Sequence, residues 1–147
     1  MEIPIIEFLI KVGAGAVAGM CMGIERQIKG KPAGLKTNAL VGLASTVFVL
    51  VSLLFQGENS TDMTRIIGQI VVGVGFLGAG VIMQRGDERV KGLATAATIW
   101  CSAAAGCLAA LGLYSELAVF TVLVVTINIA FGYLNKKLTD DVPENNN

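Results

Sequence analysis

The sequence predicts an all-α integral membrane protein with five transmembrane helices, its N-terminus outside and its C-terminus cytoplasmic. Three observations carry this expectation. First, 54% of the 147 residues are hydrophobic and only 15% are charged, against roughly 25% charged in an average soluble domain. Mean hydropathy is +0.70. Second, residues 37–57, 66–84, 92–115 and 117–135 contain no Asp, Glu, Lys or Arg. Each run reaches the ~17–25 residues a helix needs to cross the hydrocarbon layer. Third, the basic residues between the runs are sided.

The helices are expected at 3–24, 38–56, 65–83, 93–113 and 117–135. The first carries Glu7 and Lys11 near its start. Four residues apart, they share one face and can pair. At the outer interface they are ordinary anchors, with Lys11 snorkelling; deeper in, they would be functional. This segment lacks a basic n-region and an A-x-A-like exit, so it is expected to stay as an anchor. Before the third helix, Ser60, Thr61 or Asp62 is the expected N-cap. The fourth opens with Thr95, Thr98 and Ser102 at helical spacing. After the fifth, residues 138–147 read as a disordered polar cytoplasmic tail on a domain spanning 1–137.

Orientation follows from the Lys and Arg count. Arg26, Lys29, Lys31, Lys36, Arg85, Arg89, Lys91, Lys136 and Lys137 fall on one side of the five-helix arrangement. Only Lys11 and Arg65 fall on the other. Short loops rich in Lys and Arg stay in the cytoplasm. The 57–64 connection is polar and net acidic, as an outer loop should be.

Several function classes find no support. A net charge of zero gives no electrostatic case for nucleic acid. There is no histidine, and Cys21, Cys101 and Cys107 lie in apolar segments without a CxxC pattern, so no metal ligand set or cofactor is expected. With no GxSxG and no paired Asp motif, no catalytic residue is assigned and the chain is not expected to be an enzyme. A GxGxxG pattern at 73–78 lacks a βαβ context and is not a dinucleotide fingerprint.

Glycine spacing is the next signal. Gly15, Gly19 and Gly23 form one flat strip on the first helix. Ser102, Gly106 and Ala110 repeat that spacing on the fourth. The two strips are expected to pack on each other, or across a boundary between copies as in a homodimer. The third helix holds Gly68, Gly73, Gly75, Gly78 and Gly80. At up to about 1 kcal/mol each against Ala, they mark either a bent or unwound stretch or close packing of a central helix. Irregular backbone at membrane depth needs a protein or wet surrounding.

The polar candidates gather near the inner rim. Glu25 directly precedes Arg26 and Gln27 and should be ionised and paired. Asp87 and Glu88 stand among Arg85, Arg89 and Lys91 in the other inner loop, and the two loops are expected to face each other. Carboxylates there would suit Mg²⁺ with retained waters, but a salt-bridged pair of loops is the plainer expectation. Ser45, Thr46, Gln69, Thr95, Thr98, Ser102 and Asn128 supply either interhelical hydrogen bonds or a narrow polar path.

Three ordered blocks then resemble a known family. Gly23-Ile24-Glu25-Arg26-Gln27 with Gly30 to Val41 is the first. Arg65 to Ile82 is the second, and Val90 to Trp100 the third. Together they closely resemble the MgtC/SapB family of bacterial membrane proteins over about residues 10–135. The resemblance implies an inner-membrane protein of five helices with a cytoplasmic C-terminus. It also implies a role in adaptation to low Mg²⁺ and, in pathogens, survival inside macrophages. It implies restraint of the F-type ATP synthase rather than Mg²⁺ transport. Longer members carry a soluble, ACT-like domain after the fifth helix; this chain matches the membrane-only form. Lys36 stands where Arg is common, and Asn38 where His is frequent.

The expected function is therefore regulatory, through binding other membrane proteins. The alternative is a transporter or channel for a cation or small solute, as an oligomer. The residues expected to matter are Glu25, Arg26, Gln27, Lys31, Thr37, Asn38, Arg65, Gln69, Asp87, Thr95 and Thr98. The packing glycines are expected to be Gly15, Gly19, Gly23, Gly73, Gly75, Gly78, Gly80 and Gly106.

Overall fold

A computed structural model describes residues 3–55, 62–82 and 90–140. Five helices run in order: α1 (Ile5–Ile28), α2 (Leu35–Leu54), α3 (Met63–Val81), α4 (Leu93–Ala110) and α5 (Tyr114–Asp140). All five are long and apolar enough to span a membrane. Large apolar side chains such as Phe76, Tyr133 and Val122 stand more than 60% exposed. That pattern costs heavily in water and nothing in lipid, so the fold reads as a multi-pass membrane bundle.

The boundaries follow from end chemistry. At the end of α1, Gly30 takes φ +59°. Gly30 N–H donates to Gln27 O at 3.2 Å and Lys31 N–H to Arg26 O at 2.9 Å. This is the Schellman pattern, which turns the chain back over its own last turn. The end of α4 repeats it. Gly112 sits at φ +74°, its N–H donates to Ala109 O at 3.1 Å, and Leu113 N–H donates to Leu108 O at 3.1 Å. Asp62 caps α3 by accepting from Thr64 N–H at 2.9 Å; Ser60 and Thr61 lie outside the described residues. α5 runs on to Asp140, so residues 138–140, expected as tail, are helical. Residues 141–147 lie outside the described residues.

α1, α2 and α4 pack on one another, and α5 packs on α1 and α4. α3 packs mainly on α4 and only lightly on α2. One core cluster joins Val41, Val49, Leu50, Ile70, Val74, Ile99, Ala103 and Ala110. A second joins Ala18 and Met22 to Ala105, Ala109 and Leu117. Small side chains dominate both, because helices in lipid associate through close van der Waals packing rather than apolar burial from water.

The glycine strips need a correction. They do not meet each other chiefly; both meet α2. A Cβ on Gly15 would strike Thr46 Oγ1, and one on Gly19 would strike the Asn38 carbonyl. A Cβ on Gly23 would lie 2.7 Å from Gly34 O, and one on Gly106 would strike Gly42 O. α2 answers with Gly42, whose own Cβ would strike Gly15 O on one side and lie 3.5 Å from Ser102 O on the other. Through Gly42 the backbone of α2 thus closely approaches those of both α1 and α4.

The third helix is neither unwound nor central. α3 is one continuous α-helix from Met63 to Val81, and it is not central. A Cβ at Gly68, Gly73, Gly75 or Gly80 would meet nothing within 4 Å. Only Gly78 faces a neighbour, Ala96 on α4, at an ordinary 3.5 Å. Among the described residues, Gly73, Gly75 and Gly80 therefore pack against nothing. The helix persists because lipid offers its backbone no other hydrogen-bond partner.

Candidate functional site

The Schellman turn after α1 builds the polar corner of the molecule. It folds Lys31 back toward the last turn of α1, where Glu25 and Arg26 are 5% and 3% exposed. The Arg26 guanidinium donates through Nε and Nη2 to Glu25 Oε2. Lys29 Nζ, one turn on, lies 2.6 Å from Glu25 Oε1, and Lys31 Nζ lies 3.7 Å from the same oxygen. One buried carboxylate therefore holds three cations. Coulomb attraction is strong where water is excluded, and the arrangement offsets the cost of burying the charge. The cluster carries net positive charge, and Lys29 and Lys31 keep 35% and 41% of their side chains exposed.

Gly132 on α5 closes over this corner. A Cβ there would strike Lys29 Nζ and lie 3.2 Å from Glu25 Oε1. Opposite, Gly34 makes room for Gln27, whose amide a Cβ on Gly34 would strike.

The corner continues inward through Asn38, which is fully buried. Asn38 Nδ2 donates to Ala33 O at 2.5 Å and to Gly34 O at 2.9 Å. Ala33 needs that clamp, because it sits at φ +52°, a left-handed conformation that costs a residue with a Cβ. Asn38 Oδ1 accepts from Ser102 Oγ at 2.8 Å. Ser102 also approaches Thr98 O at 3.1 Å and Met22 Sδ at 3.7 Å. Thr98 Oγ1 donates to Ala94 O at 2.9 Å and accepts from Asn128 Nδ2 on α5 at 3.3 Å. Thr95 is buried one turn earlier on the same face. Further along, Thr46 Oγ1 lies 2.8 Å from Gly42 O and 3.0 Å from Gly106 O. Each of these hydroxyls and amides meets protein, as lipid-embedded polar groups must.

The structure thus brings Glu25, Arg26, Gln27, Lys31 and Asn38 into one corner. Thr98 connects to it through Ser102, and Thr95 stands on the same helix face. Thr37 is exposed and turns instead to a groove between α2 and α3. Arg65 and Gln69 are also not in the corner: they lie in the first turns of α3, at the opposite end of the bundle. Asp87, with the expected meeting of the two basic loops, lies outside the described residues. Glu7 and Lys11 pair at 2.7 Å. The Lys11 stem reaches the α4–α5 turn near Gly112, which marks that end of the bundle. Sequence reasoning missed the roles of Lys29, Gly34, Gly42 and Gly132. The i, i+4 spacing of Glu25 and Lys29 was the available signal; for the glycines the contacts come from distant segments.

Among the described residues, no group of three His, Cys, Asp or Glu could hold a metal ion. Glu25, already surrounded by cations, is electrostatically a poor ligand for another.

Comparison with known proteins accords with this architecture. The MgtC family model matches residues 12–137. The chain is 48% identical over 129 residues to an uncharacterised protein of Synechocystis, covering 88% of this chain and 54% of that one. It is 49% identical over 116 residues to protein MgtC of Brucella abortus, covering 78% and 48%. It is 39% identical over 142 residues to the putative magnesium transporter YhiD of Escherichia coli, covering 88% and 65%. The chain thus spans about half the length of the first two relatives. No solved structure matches. With a family match across 12–137 that takes in all of the polar corner, the chain belongs to the MgtC family.

Proposed function

We propose that this chain is a regulatory protein of the bacterial plasma (inner) membrane that supports adaptation to low Mg²⁺. In this reading it binds and restrains other membrane proteins, the F-type ATP synthase among them. In a pathogen the same role would serve survival inside macrophages. The observation that carries the reading is the Glu25-centred corner. It is locked within the protein yet presents Lys29 and Lys31 at one rim, where a partner can reach them. The names of two relatives, MgtC and putative magnesium transporter, support the link to Mg²⁺.

The orientation belongs to the same proposal. Arg26, Lys29, Lys31, Lys36 and Lys91 lie at one end of the helices, and Lys11 and Arg65 at the other. By the positive-inside rule the first end is cytoplasmic, so the N-terminus is outside and the C-terminus inside. The chain acts without catalytic chemistry or cofactor of its own. Crosslinking in native membranes at low Mg²⁺ tests the binding: recovery of ATP synthase subunits is expected. Recovery of no membrane partner would count against it.

A second reading, cation transport by an oligomer, draws on the relative named as a putative magnesium transporter. It also draws on the buried line Asn38, Ser102, Thr98 and Asn128. Those groups bond one another and the backbone, which favours a structural role for them. Purified protein in liposomes that passes no Mg²⁺, K⁺ or H⁺ would remove this reading.

A further inference from the structure

Because α3 leans on α4 rather than α2, a groove of about 1300 Å³ opens between α2 and α3. Its walls are almost wholly apolar, with Leu40, Val41, Phe48 and Val51 on one side and Ile70 and Leu77 on the other. One mouth is different. There Lys36 and Thr37, both exposed, line the groove at the first turn of α2. The cap residue of that turn is Gly34, which has no side chain to satisfy the first N–H groups. A cation, a hydroxyl and the positive end of a helix therefore converge at the basic rim, the arrangement that receives a phosphate.

We propose that this groove holds an anionic phospholipid, its acyl chains along α2 and α3 and its phosphate at Lys36 and Thr37. The length of the groove suits acyl chains. From Thr37 to Phe55 the α2 wall runs about 27 Å at ~1.5 Å per residue, close to the hydrocarbon thickness of ~30 Å. Charge complementarity selects the headgroup. Lys36 lines the groove, whereas Lys29 and Lys31 sit at the Glu25 corner and do not line it. The inference does not depend on the regulatory reading above, since it concerns a different face of the bundle.

Native mass spectrometry of the full chain, released from detergent with equal phosphatidylglycerol and phosphatidylethanolamine, tests it. The wild type should retain phosphatidylglycerol preferentially. Lys36→Gln should cut that preference about fivefold, the effect of one basic residue at an anionic surface. Gly73→Leu should reduce binding of both lipids, because it fills the groove from the α3 wall. A Cβ at Gly73 meets nothing within 4 Å, so the side chain enters the groove without displacing the backbone. Equal retention of the two lipids, or a preference unchanged in Lys36→Gln, would overturn the proposal. So would a dimer that Gly73→Leu dissolves without any lipid preference, which would give the groove to a second copy of the chain.

Discussion

The Asn38 amide donates to Ala33 O and Gly34 O and accepts from Ser102 Oγ. It holds the strained turn before α2 and ties α2 to α4 in one group. Asn38→Leu should therefore destabilise the protein by about 2 kcal/mol, combining lost membrane hydrogen bonds with unsatisfied buried carbonyls. Asn38→Asp should be comparably damaging, because it keeps the acceptor but removes both donors. Thermal unfolding in detergent measures both. At the far end, Asp62 caps α3. The Thr64 hydroxyl and N–H both donate to its carboxylate and hold its pKa below the ordinary value of 3.8. A depressed folded value means that the cap contributes fully above about pH 4 and is lost as pH falls through the lowered value. Amides in the first turn of α3 should lose protection in that acid range relative to Asp62→Asn, which cannot titrate. Hydrogen exchange of the two proteins at matched pH checks this. At this scale the sequence was partly legible. Glu25 beside Arg26 announced an ion pair. The hold of Asn38 on Ala33 and of Gly132 on Lys29 did not, because both depend on how the chain turns or packs.

Glycine has opposite meanings in α1 and α3. Gly19→Ala drives a Cβ into the Asn38 carbonyl, backbone that cannot yield cheaply, and should cost about 1–3 kcal/mol as overpacking does. Gly75→Ala meets open space and should be neutral or stabilising by up to ~1 kcal/mol through helix propensity. Parallel thermal melts of the two variants decide whether the packing order of α1, α2 and α4 is right. Four helices were readable from their charge-free lengths and the first from its apolar run in spite of Glu7 and Lys11; of the ends, the start of α3 was expected at Ser60, Thr61 or Asp62. Helix partners were not readable. Spacing shows that Gly15, Gly19 and Gly23 make a flat strip, but not that Gly42 of α2 receives it. A count of five glycines likewise says nothing of whether another helix or lipid lies opposite.

The whole molecule couples a tight three-helix backbone contact to a charged corner at one rim. α1 supplies Glu25 and Arg26, the turn after it supplies Lys29 and Lys31, and α5 supplies the space at Gly132. If that rim is cytoplasmic, a cysteine placed at Lys31 should react with a permeant thiol reagent but not with an impermeant one in intact cells. Reaction with both would reverse the orientation. The central claim is that the Glu25–Arg26 corner is the working site and not a topological anchor. Its most direct test is growth at low Mg²⁺ of cells whose own copy is replaced by Glu25→Ala, Arg26→Ala or Glu25→Gln/Arg26→Gln, normalised to protein in the membrane. The double variant removes both charges together and so leaves neither buried without its partner. The account predicts loss of growth support in all three at wild-type protein level. Wild-type growth in all three would contradict it.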